Sequence, residues 1–143
     1  MLFAAGSSGG QIKVFDVKSG SNPANFDCLS SVTSLSFSEN GTWLASTSEG
    51  QTTVTIWDLR KGERIKQLEF GAMISSIDWD YTGQFLAAGG PSGIAVQSYT
   101  KGTKSWTEIF RTAVPSTVVK WGPRAQSLLS VVNDGVLTVL SAA

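Results

Sequence analysis

The sequence contains no histidine and a single cysteine, Cys28. A serine triad or a cysteine–histidine pair needs an imidazole to move the proton, and a zinc site made of histidine and cysteine needs several such residues. One cysteine also excludes an internal disulfide framework and fits a reducing compartment. We therefore expect no catalytic residue, no metal and no cofactor in this chain.

Charge and long apolar runs are also scarce. Only 15% of the 143 residues are charged and the formal net charge is zero, which disfavours direct binding of nucleic acid through clustered Lys and Arg. No apolar run approaches the roughly 20 residues that a membrane-spanning helix needs. The apolar stretch 1–5 lacks a basic leader, so we interpret it as a strand rather than a signal peptide.

The stretch 32–70 holds four short apolar-rich runs separated by turn residues. Its first run, Val32 to Phe37, alternates large apolar residues with Ser and Thr. Asn40-Gly41 then favours a tight turn, because both residues accept positive φ at little cost. Four such runs in about 40 residues predict an antiparallel meander of four strands.

The same pattern recurs with a constant period of 42 residues. A period of this length with four strands per unit is typical of a β-propeller blade, and the dipeptide Trp57-Asp58 indicates the WD-repeat type. We therefore predict an all-β chain, a WD-repeat β-propeller fragment of about three and a half four-stranded antiparallel blades. The repeating aromatic positions, which we expect in the blade cores, are Phe37, Trp57, Trp79, Tyr99 and Trp121.

The repeat divides the chain into four units. We expect an incomplete blade over 1–27, complete blades over 32–70 and 74–112, and an incomplete blade over 116–143. A closed ring typically needs four to eight blades, so the sequence has the properties of a piece of a larger propeller. An open arc exposes edge strands and sheet faces, and we expect missing blades or self-association to cover them.

Three motifs occur in an order that resembles one family of WD-repeat proteins. They are Phe37-Ser38-Glu39-Asn40-Gly41, Trp57-Asp58-Leu59-Arg60-Lys61 and Trp106-Thr107-Glu108-Ile109. Together they are similar to the C-terminal WD-repeat domain of the family of pre-mRNA-processing factor nineteen, which are splicing-associated ubiquitin ligases. The similarity extends over nearly the whole chain.

The resemblance implies a docking platform for protein partners. In that family a U-box recruits the ubiquitin-charged conjugating enzyme, a coiled coil forms tetramers, and the propeller binds partners and substrates. It also implies a place in the nucleus, in a complex that helps activate the spliceosome and acts in DNA repair. The U-box and the coiled coil do not occur in this sequence, so we expect no enzyme activity from it. The expected partners are proteins of the splicing machinery or ubiquitination substrates.

The chain departs from the WD pattern at the Gly-His pair that precedes the first strand of many blades. Cys28 and Ser30 stand at the aligned positions of one blade. We expect the hydrogen-bond network of that histidine to be missing or rebuilt. The blades should then depend more on the packing of Phe37, Trp79 and Trp121.

Three further motifs have a structural and a functional interpretation. Asp78 and Asp80 lie two apart on one strand, and we favour a strand end or turn cap over an acid–base pair. The glycine-rich stretches 6–10 and 89–93 lack the Gly-Lys-Ser/Thr of a phosphate-binding loop, so we favour turns. The basic cluster 60–66 is most simply a solvated rim, with contact to an acidic partner as the alternative.

Propellers bind partners through loops on one rim or through grooves between blades. We expect exposed contacts on the rim made of the second-to-third and fourth-to-first turns, of which the bulkiest have the chemistry of binding hot spots. A purely structural role and a small ligand in the central channel are the rival hypotheses. The channel hypothesis requires charged or histidine residues on the first strands, where this chain has Ser, Thr and apolar residues. The candidate rim contacts are Glu49, Gln51, Phe70, Met73, Pro91 and Arg111.

Overall fold

The computed structural model describes residues 2–28, 30–38, 42–80, 82–122, 128–133 and 136–141. All regular secondary structure in these ranges is β-strand, which confirms the all-β prediction. Within the same ranges, no helix is long and apolar enough to cross a membrane.

Short strands follow one another along the described chain, and tight turns connect most of them. Their bounds are β1 (Leu2–Gly6), β2 (Gln11–Asp16), β3 (Ala24–Asp27), β4 (Val32–Phe37), β5 (Trp43–Ser48), β6 (Thr53–Asp58), β7 (Glu63–Glu69), β8 (Ser76–Trp79), β9 (Phe85–Gly90), β10 (Gly93–Thr100), β11 (Ser105–Thr112), β12 (Val118–Trp121), β13 (Leu128–Asn133) and β14 (Val136–Ser141).

The strands pair in chain order into four antiparallel sheets, which we call blades 1 to 4. Blade 1 is β1-β2-β3, blade 2 is β4-β5-β6-β7, blade 3 is β8-β9-β10-β11 and blade 4 is β12-β13-β14. Strand β4 contacts β8, and β8 contacts β12. The first strands of successive blades are therefore neighbours, as they are around the axis of a propeller.

Carboxylates close the turns inside the complete blades. The side chain of Asp58 accepts hydrogen bonds from the amides of Arg60 and Lys61, at 2.9 and 3.0 Å, and Gly62 completes that turn with a φ of 69°. Asp80 accepts from the amide of Phe85 at 2.9 Å, at the turn between β8 and β9. These bonds fix the register of each hairpin through its turn.

The hydrophobic core lies between the blades, because alternate residues of each strand face opposite neighbours. Leu44 packs toward blade 1 while Ala45, the next residue, packs toward blade 3. Four of the five expected core aromatics lie in three inter-blade clusters, whereas Tyr99 packs against Trp43 and Trp106. Trp57 and Trp79 are buried, while Phe37, Tyr99 and Trp121 are partly buried.

Candidate protein-interaction rim

Backbone hydrogen bonds hold the turns of the expected rim together. The amide of Glu49, in the turn after β5, donates to the carbonyl of Ser31 at 2.8 Å, and the amide of Ile74 donates to the carbonyl of Gln51 at 3.2 Å. One period later, the amide of Ser116 donates to the carbonyl of Gly90 at 2.9 Å. Each connection between blades is thus tied to the hairpin turn beside it, which gives the rim a fixed shape.

The expectation that Phe70 is exposed on this rim is wrong. Its side chain is 3% exposed and belongs to the core between blades 2 and 3. The amide of Phe70 donates to the carbonyl of Thr52 at 3.0 Å, so the strand pairing of β7 continues one residue past Glu69. Phe70 therefore faces the same side as buried Leu68, two residues earlier.

Met73 and Pro91 form an exposed part of the rim between blades 2 and 3. The side chain of Met73 is 52% exposed, and Pro91 is exposed next to Gly90. The backbone of Met73 lies directly against Gly90. This close approach brings an apolar side chain from the connection and one from the hairpin turn to the same place.

Arg111 performs a structural task that the sequence did not indicate. Its guanidinium donates to the carbonyl of Phe70 at 2.7 Å and also pairs with Glu108 on the same strand. Gln97 makes a similar contact to the carbonyl of Glu69 at 3.2 Å. These two side chains of blade 3 thus donate hydrogen bonds to the last carbonyl groups of blade 2. Arg111 nevertheless remains exposed.

Glu49 and Gln51 lie where the rim meets a groove between blades 1 and 2. Glu49 is exposed, and its carbonyl accepts from the hydroxyl of Ser30 at 3.0 Å. Gln51 lines the groove, which has a volume of about 140 Å³. The rest of the groove wall is mainly polar: Asp27, Cys28, Ser46, Thr47, Ser48, Thr53, Thr55, Trp57, Arg64 and Gln67.

A buried hydrogen bond connects Trp57 and Ser46 close to Cys28. The indole Nε1–H of Trp57 donates to the Ser46 hydroxyl at 2.8 Å, inside the protein. Cys28, one of the residues aligned with the Gly-His pair, lies within hydrogen-bonding reach of Ser46 and Ser48. Burial raises the pKa of the Cys28 thiol despite these hydrogen bonds, and the nearby charge of Asp27 raises it further. The thiol is therefore a neutral packing group and not an activated nucleophile.

Side chains of the first strands connect successive blades along the inner wall. The Ser34 hydroxyl accepts from the amide of Ile77, and the Ser36 hydroxyl accepts from the amide of Trp79, both at 3.2 Å. The carboxylate of Asp78 accepts in the same way from the amide of Trp121 at 2.8 Å. Sequence reasoning missed this ladder, although the 42-residue spacing of Ser36 and Asp78 was its signal.

The carboxyl group of Asp78 is engaged in contacts between blades. Burial raises the pKa of its carboxyl above the usual 3.8, while the Trp121 amide, the charge of Lys120 and the Ser36 hydroxyl oppose the rise and the charge of Asp80 adds to it. In the part of the chain that the structure describes, no group of three or more His, Cys, Asp and Glu side chains is placed to hold a metal.

An Asp78→Asn substitution is expected to remove a pH dependence of stability. Because folding raises this pKa, ionising Asp78 costs more in the folded state, so stability falls as pH rises from 3.8 through the folded pKa. Asparagine keeps an oxygen for the Trp121 amide. The variant should therefore equal or exceed the parent at pH 7 and lose its advantage toward pH 4, as measured by urea unfolding. The exposed Asp27→Asn variant is the control, and an unchanged pH slope in the Asp78 variant would contradict the assignment.

A cluster of four aromatic rings on the opposite rim was also missed. Trp43 lies 4.9 Å from Tyr99 and 6.1 Å from both Trp79 and Trp106, between ring centroids. The indole nitrogen of Trp79 is buried with no hydrogen-bond partner. Trp79 and Tyr99 belong to the repeating core aromatics, and Trp43 lies one period before Phe85, but Trp106 has no aromatic residue one period earlier.

Comparison with known proteins places this geometry in a class. The WD domain, G-beta repeat, matches residues 24–58. A chain of the crystal structure of the mitotic checkpoint complex superimposes with a TM-score of 0.83 at 14% identity, over 99% of this chain and 45% of that one. The chain therefore carries a WD repeat at residues 24–58 and has the fold of a WD-repeat β-propeller segment.

Two relatives by sequence are both named pre-mRNA-processing factor 19. The chain is 32% identical to pre-mRNA-processing factor 19 of Schizosaccharomyces pombe, over 95% of this chain and 28% of that protein. It is 38% identical to pre-mRNA-processing factor 19 of Dictyostelium discoideum, over 68% of this chain and 20% of the relative. The chain thus spans less than a third of either relative. The resemblance that the motifs predicted is confirmed: the chain is similar to a part of pre-mRNA-processing factor 19.

Proposed function

We propose that this chain is a protein-docking part of a pre-mRNA splicing factor. The observation that carries the proposal is the similarity to pre-mRNA-processing factor 19 over 95% of the chain. The blades supply a rigid support, because first-strand side chains and rim hydrogen bonds connect each blade to the next. Binding side chains on a rigid support lose less freedom when a partner docks.

The docking rim is proposed to consist of the exposed residues between blades 2 and 3 and beside the groove. Met73 and Pro91 supply apolar contact area, and Glu49 supplies charge at the edge. Gln51 contributes from the groove wall. Arg111 adds guanidinium N–H donors at the same rim, besides the one that binds the carbonyl of Phe70.

The remaining parts of the proposal concern the whole protein. By similarity to its relatives, it acts in the nucleus, where it positions partners or substrates for ubiquitin transfer by a U-box, in splicing and in DNA repair. This segment contributes docking and no chemistry. Its partners are proteins of the splicing machinery or ubiquitination substrates, and not nucleic acid or membrane.

The channel hypothesis is less well supported than docking on the rim. Ser34, Ser36 and Asp78, the polar residues of the inner strands, are already used as acceptors for amides of the next blade. A ligand in the channel would have to compete with these bonds. The purely structural hypothesis is tested together with the docking proposal.

A pull-down from nuclear extract with the full-length protein tests the proposal. The double substitution Glu49→Lys and Met73→Asp changes charge and shape at two exposed sites and should reduce recovery of splicing proteins severalfold. Phe70 is unsuitable for this test, because its removal would damage the core.

Lys101→Glu on the opposite rim is the control, since Lys101 is an exposed turn residue. Thermal unfolding of both variants should match the parent. Unaltered recovery of splicing proteins by the folded rim variant would support the purely structural role instead.

A further inference from the structure

The outer edge of blade 2 carries an unusual concentration of positive charge. Strand β7 is last in its sheet and pairs only with β6, and six of its seven residues are exposed. The stretch 60–66, which includes the turn before β7, holds four of the chain's 11 Lys and Arg residues: Arg60, Lys61, Arg64 and Lys66. The exposed carboxylates Glu63 and Glu69 lie on the same strand, so the stretch 60–69 has a net charge of +2 in a chain whose formal net charge is zero.

These four cations form no ion pair with Glu63, Glu69 or another carboxylate in the described part of the chain. By contrast, Arg111 on the outer strand of blade 3 pairs with Glu108. The outer strand of blade 1 differs again, because its exposed charge is Asp27. Among the three described outer strands, the unpaired basic edge is therefore specific to β7.

The basic edge is continuous with the polar groove between blades 1 and 2. Arg64 and Gln67 of β7 line the groove together with the hydroxyls of Thr53 and Thr55. Among the described residues of its wall, Asp27 is the one carboxylate. An acidic side chain that enters from β7 would meet the Arg64 guanidinium and several hydroxyl donors, which is the chemistry that carboxylates require.

We propose that β7 is a docking strand for an acidic, extended segment of a partner protein. The segment pairs with the free edge of β7 as an added strand, so that main-chain hydrogen bonds provide affinity. Its Asp and Glu side chains lie on the face of Arg64, where one of them enters the groove. Lys66 lies on the opposite face of the sheet, and Arg60 and Lys61 lie in the turn before the strand. The inference rests on the proposed docking function and specifies a partner class and a surface for it.

Charge complementarity selects this occupant over an apolar or basic segment. Because the four cations are exposed, their attraction should act mainly on association and should weaken as salt is added. Lysine on an edge strand also prevents edge-to-edge aggregation. The experiment therefore has to separate recognition of an acidic peptide from mere protection of the edge.

The test is fluorescence anisotropy of a labelled peptide of about eight residues, alternating Glu with Thr, titrated with the full-length protein. Arg64→Glu combined with Lys66→Glu should weaken binding at least about tenfold. Lys101→Glu combined with Lys104→Glu is the matched control, since it changes the net charge equally at another exposed turn. A peptide with Gln in place of Glu should bind at least about tenfold more weakly to the parent.

Hydrogen exchange tests the added strand directly. The acidic peptide should slow exchange of β7 amides, and a peptide with methylated backbone nitrogens should not bind. Equal binding by the β7 and control variants, binding without protection of β7, or aggregation of the β7 variant without loss of binding would each overturn the proposal.

The pull-down of splicing proteins is an independent readout. If the β7 variant recovers them as the parent does, the docking function stands and the acidic-segment inference fails. If the rim variant and the β7 variant both recover them unchanged, the docking function fails as well.

Discussion

Replacing Gly90 with alanine is expected to lower the free energy of unfolding by about 3 kcal/mol, the upper part of the range for overpacking. Gly90 is buried at the end of β9. A Cβ at this position would overlap the carbonyl oxygen of Met73 and lie 3.0 Å from its carbonyl carbon. These are backbone atoms, so the overlap cannot be relieved by turning a side chain. The connection between blades 2 and 3 would have to move.

Moving that connection would disturb a second contact. The carbonyl of Gly90 accepts the amide of Ser116 at 2.9 Å, which ties blade 3 to the connection that leads into blade 4. Urea unfolding of Gly90→Ala measures the loss of stability. Gly102→Ala is the control, because no atom lies within 4 Å of a Cβ built there, and it should change stability by less than about 0.5 kcal/mol. Equal stability of the two variants would contradict this account of the rim.

The strands and their order were predictable because their cause is local. Alternation of apolar and polar residues specifies a strand with two different faces, and Asn, Asp and Gly specify where it turns. The period of 42 residues adds independent support for these strands, since a pattern that recurs at a fixed spacing is easier to interpret than a single copy. The Trp57-Asp58 pair indicated the WD type. In the structure this pair ends β6, and the Asp58 carboxylate caps the turn that follows.

The candidate rim was predicted less well because exposure depends on where a strand stops. Phe70 was placed at the end of the fourth strand and was expected to be exposed on the rim, but its pairing with Thr52 directs the side chain into the core. Arg111 was assigned to partner binding, and its contact with a carbonyl 41 residues away could not be seen locally. Contacts between blades depend on distances across the propeller, which a repeat period alone does not provide.

Truncating Trp57 to alanine is expected to destabilise the fold by about 3–5 kcal/mol. The indole is 8% exposed and stacks on Phe26 of blade 1 with ring centroids 4.5 Å apart. Its loss would open a cavity between blades 1 and 2 and leave Phe26 without its partner. Thermal or urea unfolding measures the change, and Ile65→Ala on the exposed face of β7 is the control, which should cost much less. Similar losses for the two variants would contradict the role of the stack.

A double-mutant cycle separates the stack from the hydrogen bond to Ser46. Trp57→Phe keeps an aromatic ring against Phe26 but removes the Nε1–H donor, so it should cost about 1 kcal/mol. Ser46→Ala should cost about 1–3 kcal/mol, because it leaves the indole N–H unpaired inside the protein and also removes a partner of Cys28. If Ser46 acts through Trp57, the double variant should cost less than the two single losses added together. Strict additivity would mean that the Ser46 hydroxyl stabilises the fold independently of the Trp57 indole N–H.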